Sequence, residues 1–311
     1  MIAKLLAAAL LSLPPTAQAE TLSWRDRRSV EIMEAPHAFT KPGLANMEPA
    51  AIYTDPPHDA AAPARMEVLH IPSHGVLING VGYLAAGKGP HPTLVLLHGL
   101  PGNEKNLDLA QAVRRAGWNV VTFNYRGSWG SPGAYSFAHC IEDTDAVLDW
   151  LKQPAQAVKY GIDPAHLVLG GHSLGGWATA QVAAHRTDLK GAILISAADM
   201  GRLADAPREQ RIAFLADNHE TLQATNEALA DEIGTNPGFV LGTTAPGLAK
   251  TPLLVLTSDD GLAPVDDALV AKVRAAGNIK VETLHATTDH SYSDARIWLE
   301  SAVLTWLAKL G

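Results

Sequence analysis

The 311-residue sequence predicts an α/β fold, a mostly parallel central sheet with helices on both faces. Two observations carry that expectation. From His91 onward, short continuous apolar runs alternate with segments of helical spacing, and uninterrupted apolar strands are those buried on both faces. The composition, 47% hydrophobic and 18% charged with 26 glycines and 20 prolines, is that of a globular chain able to bury a large core.

The chain opens with "MIAKLLAAALLSLPPTAQAE", in which Lys4 precedes an apolar stretch from Leu5 to Leu13, and Ala17-Gln18-Ala19 precedes Glu20. That is the pattern of a secretory leader, residues 1–19, cleaved after Ala19. Its apolar run is too short to span a bilayer and no cysteine follows it, so a periplasmic or secreted protein with no stable membrane anchor is expected. Residues 20–65 are rich in Pro and Ala ("DPPHDAAAPA") and read as an extended arm. Residues 66–311 read as one domain. It begins with "MEVLHIP" and "GVLINGVGYLAA", two strands expected to pair antiparallel.

The alternation then sets in. "TLVLLH" precedes the helix "EKNLDLAQAVRRAG", "NVVTFNY" precedes "FAHCIEDTDAVLDWLKQ", and "HLVLGGH" precedes "LGGWATAQVAAHR". Further strands are read in "GAILISA", "PLLVLTS" and "IKVETLHA", and the last helix in "SDARIWLESAVLTWLAKL". The one cysteine, Cys140, excludes a disulfide within the chain, and its helical setting makes it a half-buried structural thiol. A net charge of −8 offers no basic surface for nucleic acid. His70 and His74 flank a turn and do not share a helix face, so they form no zinc pair, and no glycine-rich loop matches a phosphate cradle or dinucleotide fingerprint. Neither a metal nor a cofactor is expected.

Gly171-His172-Ser173-Leu174-Gly175 lies between a buried strand and a helix. A serine at that junction sits on a tight turn, and glycines at 171 and 175 let neighbouring backbone approach without a Cβ clash. The hydroxyl is then presented at the carboxyl edge of the sheet, beside a helix N-terminus that favours developing negative charge. A nucleophilic serine needs a base and an orienting acid, in the chain order serine, acid, histidine. "TPLLVLTSDDGLAP" ends a strand in Asp259 and Asp260, and Asp260, next to Gly261, is the better placed in the loop, with Asp259 second. His290 precedes a helix expected to start at Ser291 or Ser293, whereas His285 falls inside the strand, so His290 is the expected base. The backbone N–H groups of Leu100, in "LLHGLPGNEKN", and Leu174 are the expected oxyanion donors. His98 and His172 read as structural, and Trp129 and Trp177 as pocket wall or core.

Together "HGLPGNEKN", "NYRGSWGSPG", "GGHSLGG", "TSDDGLAP" and "DHSYSD" resemble the α/β-hydrolase superfamily over roughly Glu67 to Gly311. Within it the chain is similar to the dienelactone-hydrolase-like and prolyl-oligopeptidase-like (S9) serine hydrolases, above all in "YRGSWGSPG". The resemblance implies the α/β-hydrolase fold, a Ser173, Asp260, His290 triad and an acyl-enzyme route. Two departures weigh on substrate class. There is no room for the propeller of the S9 peptidases, and Leu100 stands where many supply a tyrosine. Dienelactone hydrolases proper use cysteine where this chain has Ser173.

About fifty residues separate "ILISAADMG" from "TPLLVLTS", far more than an ordinary connection. They contain "REQRIAFLADNHETLQATNEALADEI", helical in pattern, and residues 200–250 read as a small helical cap over the acyl pocket. The expected function is a serine esterase acting on a small-molecule ester. The alternatives are a peptidase or amidase with the same triad and a non-catalytic binding protein on the same fold.

Overall fold

The computed structural model describes residues 49–216 and 221–310. The leader and residues 20–48 of the arm lie outside the described residues. The strands are β1 (Arg65–Ser73), β2 (Val76–Leu84), β3 (His91–Leu97), β4 (Asn119–Phe123), β5 (Ile162–His172), β6 (Gly191–Ile195), β7 (Leu253–Ser258) and β8 (Val281–Ala286). The helices are α1 (Leu107–Arg115), α2 (Phe137–Lys152), α3 (Pro154–Tyr160), α4 (Leu174–His185), α5 (Arg208–Leu215), α6 (Asn226–Thr235), α7 (Ala263–Ala275) and α8 (Arg296–Leu307). The strands form one sheet of order β1-β2-β4-β3-β5-β6-β7-β8. β1 and β2 pair antiparallel and β2 meets β4 antiparallel, while β4 through β8 run parallel.

The apolar runs of the central strands divide between two cores. In β3, Val95 and Leu97 face one core while Leu94 and Leu96 face the other, and β7 splits in the same way between Leu253 and Val255 on one side and Leu254 and Leu256 on the other. Period-2 side-chain alternation with both faces covered makes every position apolar. The first core packs under α2, α3, α4 and α7, the second under α1 and α8. β1 instead alternates, with Leu69 and Ile71 buried and Val68 and His70 exposed, because one face of that edge is open.

The structure differs from the sequence reading in four places. α3 follows directly on α2, with Pro154 at its first turn and Gly161 (φ 63°) ending it, a proline start and a glycine stop. α7 was not resolved by the sequence pattern. The helical stretch of the insertion divides into α5 and α6, the latter capped by the Thr225 hydroxyl, which accepts from Ala228 N–H at 3.1 Å. The last helix begins at Arg296 and not at Ser291 or Ser293, because the Asp289 carboxylate accepts from Ser291 and Ser293 N–H (3.1 and 2.8 Å) and Tyr292 takes φ 55°.

The insertion is tied to the body at several points. Gln223 N–H donates to Gly127 O (2.7 Å), Glu232 accepts from Phe137 and Ala138 N–H at the start of α2 (2.9 and 2.8 Å), and Trp177 Nε1–H donates to Phe239 O (2.8 Å). At the other end of the chain, a 3-10 turn at Ala50–Ile52 packs on α1 and α8, where Arg115 donates to Ala51 O and Ile52 O.

The turn that ends β5 is the tightest approach in the sheet. A Cβ on Gly175 would stand 2.5 Å from Leu97 O and 2.8 Å from His98 O, and one on Gly171 2.2 Å from Gly175 O. Gly175→Ala should therefore destabilise the protein by at least about 2 kcal/mol, since neither carbonyl can retreat without moving β3. Gly238→Ala, where nothing lies within 4 Å, should stay within about 0.5 kcal/mol of wild type. Urea unfolding of both variants measures the contrast, and equal stabilities would show that the β3–α4 approach is not tight.

Candidate active site

Ser173 caps the end of β5 with φ 58° and ψ −120°, a backbone conformation that L-residues rarely adopt, and α4 starts at the next residue. The neighbouring turn after β6 grips this strained residue. Ser173 N–H donates to Ile195 O (2.9 Å) and Ser173 O accepts from Ala198 N–H (3.0 Å). Gly99 lies against it from the β3 side, where a Cβ would come 3.0 Å from Ser173 Cβ.

Asp260 stands in the loop after β7 and His290 in the loop after β8, and the two meet. His290 Nδ1–H donates to Asp260 Oδ2 at 2.7 Å, which turns Nε2 away from the carboxylate. The side chain of Asp260 is 3% exposed and that of His290 39%, so the pair is buried at the acid and open at the base. Burial works against the ionised form of Asp260, but the hydrogen bonds from His290, from Leu262 N–H (2.8 Å) and from the Ser196 and Ser258 hydroxyls outweigh it, and the carboxyl is held well below the usual range. Asp259 does something else: its side chain is 54% exposed and accepts from His285 Nε2 at 3.0 Å. The competing candidates thus form a second pair, separate from the first.

His172 links the base to the elbow. It precedes Ser173 and donates from Nε2 to the backbone oxygen of His290 at 2.7 Å, with the two rings 4.5 Å apart between centroids. Burial, then the neighbouring His290 ring, lowers its pKa to about 4, so it remains neutral. His98 is buried as well, with its pKa lowered to about 4 chiefly by burial, and its Nδ1–H donates to Gly99 O at 2.8 Å. In a trans peptide the C=O and the following N–H point oppositely, so pinning Gly99 O turns Leu100 N–H to the other side. Leu174 is the first residue of α4, where N–H groups lack intrahelical partners. Among the described residues neither N–H is taken up by a backbone carbonyl. Trp129 borders the same loop through Nε1–H to Pro101 O (2.7 Å), with the Lys105 ammonium 4.5 Å over its ring, while Trp177 is fully buried.

Other sequence candidates lie elsewhere. Cys140 is buried in α2, and burial pushes its thiol pKa well up, which leaves it a poor nucleophile. His74 sits at the β1–β2 turn, 3.9 Å from Glu142. Among the described residues no group of three His, Cys, Asp or Glu side chains is arranged to hold a metal ion.

Ser196 and Asp266 were missed in the sequence. Ser196 takes φ 43° at the end of β6 and its hydroxyl lies 3.0 Å from Ser258 Oγ and 3.2 Å from Tyr292 OH. Asp266 is fully buried in the first turn of α7 and accepts from Ala197 N–H at 3.0 Å. The signal for Asp266 was present, since it falls on the stripe shared with Leu269, Val270 and Val273, the buried face of α7.

The alpha/beta hydrolase family model matches residues 94–311, and the chain belongs to that family. The chain is 26% identical over 189 residues to a multifunctional-autoprocessing repeats-in-toxin of Vibrio vulnificus, covering 59% of this chain and 3% of the toxin. It is 34% identical over 96 residues to a lysophosphatidylserine lipase of Bos taurus, covering 30% of this chain and 22% of the lipase. It therefore spans only a small part of these relatives' lengths. Among solved structures it is similar to an esterase of Pyrobaculum calidifontis (TM-score 0.58, 19% identity, 80% of this chain and 87% of that one). A dienelactone hydrolase homologue from Klebsiella pneumoniae is also similar (TM-score 0.56, 19% identity, 79% and 98%). These likenesses establish the shared fold.

Burial, with Asp260 and Asp267 nearby, pushes the pKa of Asp266 up to about 8. The folded protein therefore keeps a proton that the unfolded chain releases near pH 4, so stability falls as pH rises from about 4 to about 8. Asp266→Asn should remove that slope, up to about 1.4 kcal/mol per pH unit, and gain on wild type progressively toward pH 8. Denaturation across this range tests the sign, and a parallel pair of curves would show that Asp266 is ionised in the fold.

Proposed function

We propose that the protein is a serine hydrolase that cleaves carboxylic esters through an acyl-enzyme intermediate. The observation that carries this reading is the 2.7 Å bond from His290 Nδ1 to the buried Asp260 carboxylate, tied through the His172 ring, which donates to His290 O, to the strained strand-to-helix turn that carries Ser173. In this reading Ser173 Oγ attacks the ester carbonyl as His290 Nε2 takes its proton, and Asp260 holds the ring in the tautomer that allows it. The carbonyl oxygen becomes an oxyanion facing Leu100 and Leu174 N–H. Collapse of the tetrahedral adduct breaks the bond to the alcohol, which leaves with the proton carried by His290. Water then attacks the acyl-serine, His290 again serving as base, and the acid is released.

The partial likeness to a lipase agrees with an ester substrate. A peptidase would use the same groups, and comparison of p-nitrophenyl esters with aminoacyl anilides separates the two. Residues 200–250 are proposed to shape the acyl pocket as a cap. Their strapping to Gly127 and to the start of α2 brings them beside Trp129.

Ser173→Ala and His290→Ala should each lower kcat on a p-nitrophenyl ester by about 10⁴-fold, and the double variant should be little worse than either. Asp260→Asn should cost at least about 10²-fold through the wrong tautomer, while Asp259→Asn, which touches only the His285 pair, should stay within about threefold. A fluorophosphonate probe should label wild type at Ser173. Ester turnover by folded Ser173→Ala close to wild type would end the proposal.

A further inference from the structure

We propose that Asp266 is a positioning residue, a buried carboxyl that fixes the Ser196–Ala198 turn on which both the Ser173 elbow and the Asp260 carboxylate rest. This inference rests on the triad reading above. β6 lies between β5 and β7 in the sheet, so the turn at its end is the spacer between the nucleophile loop and the acid loop. Its backbone meets the elbow twice, from Ile195 O to Ser173 N–H and from Ala198 N–H to Ser173 O. Its side chain meets the other two loops, Ser196 Oγ lying 3.0 Å from Ser258 Oγ and 3.2 Å from Tyr292 OH. Ser258 is two residues before Asp260, and Tyr292 two after His290.

Such a turn needs an anchor. Ser196 takes φ 43°, which a serine holds only when its surroundings impose it. Ser196 N–H donates to Leu256 O (2.7 Å), so β7 holds the start of the turn. The next N–H, of Ala197, is buried and turned toward α7, where Asp266 Oδ2 accepts it at 3.0 Å. Ala197 also backs onto α4, since a Cβ on Gly176 would come 2.8 Å from Ala197 Cβ. The turn is clamped between α4 and the Asp266 carboxyl, and a shift there moves the backbone of Ser173 and the hydroxyl beside Asp260 together.

The role asks for an acceptor at Asp266 and not for a charge, which separates two substitutions. Asp266→Asn keeps a carbonyl oxygen for Ala197 N–H and should retain kcat and KM within about twofold of wild type at pH 7. Asp266→Leu removes the acceptor while keeping the branching at Cγ and should lower kcat at least tenfold with KM nearly unchanged, because displacement of the reacting groups costs rate more than binding. Folding is checked by circular dichroism and thermal unfolding. If Asp266→Leu does not fold, Asp266→Ala replaces it, removing the acceptor without added bulk, and should lower kcat at least tenfold at constant KM.

Wild-type kcat in the folded Leu variant, or in Asp266→Ala where the Leu variant is unfolded, overturns the proposal. So does an Asn variant as slow as the Leu variant, which would make charge the requirement. Ser173→Ala, run beside them, keeps the two readings apart: if it remains active the triad itself is wrong, and if it is inactive while Asp266→Leu is not, only the positioning role fails.

Discussion

The arrangement rests on one steric constraint, the approach of backbone to backbone around Ser173. β3, β5 and the start of α4 meet there with no side chain between them, and Gly171 and Gly175 are the residues that permit it. The strained φ of Ser173 follows from that packing, since the strand must reverse into a buried helix within one residue. The strain is small beside the burial of α4, in which Leu174, Trp177 and Val182 are wholly inside the core. A helix whose residues from Leu174 to Ala180 are all buried cannot shift to relieve the turn, and this is what fixes the serine.

Of the buried ionisable groups around the triad candidates, one carries charge. His98 and His172 are both neutral because they are buried, and each uses a ring N–H to hold a backbone carbonyl: Gly99 O in the loop after β3, His290 O in the loop after β8. Asp260 is ionised in spite of its burial because four donors face it. Asp266, with Ala197 N–H as its backbone donor and two other carboxylates nearby, keeps its proton. Two buried aspartates thus carry one charge between them, and that charge meets the His290 ring.

Loops at the ends of five neighbouring strands, β3, β5, β6, β7 and β8, contribute to the candidate site, so their mutual hydrogen bonds matter as much as the sheet. Asp259 N–H donates to Thr288 O (3.0 Å), joining the acid loop to the base loop. Arg296 donates to Ser291 O (2.8 Å) and to Asp108, joining the base loop to α1. The 127–135 loop and the insertion close the opposite side through Gln223 and Glu232. These contacts are polar and lie near the surface, which suits loops that must present side chains outward while their backbone is held.

The sequence by itself determined the fold class, the order of the strands and of most helices, and the candidates Ser173, Asp260 and His290, because these are written in local pattern. Uninterrupted apolar runs, glycines flanking a serine, and an aspartate before Gly261 all act over a few residues. Three matters were decided only by tertiary structure. That Asp260 and not Asp259 meets His290 depends on how the β7 and β8 ends pair, which sets His285 opposite Thr257 and leaves the Asp259 side chain, two residues on, to meet the His285 ring instead. The start of α8 at Arg296 depends on Asp289 competing for the N–H groups of Ser291 and Ser293. The clamp of Asp266 on Ala197 joins residues 69 positions apart, and only the packing of α7 against the end of β6 brings a helix-face carboxyl to a strand-end amide. Local sequence fixes what a segment can form; which buried polar groups satisfy one another is settled when the segments pack.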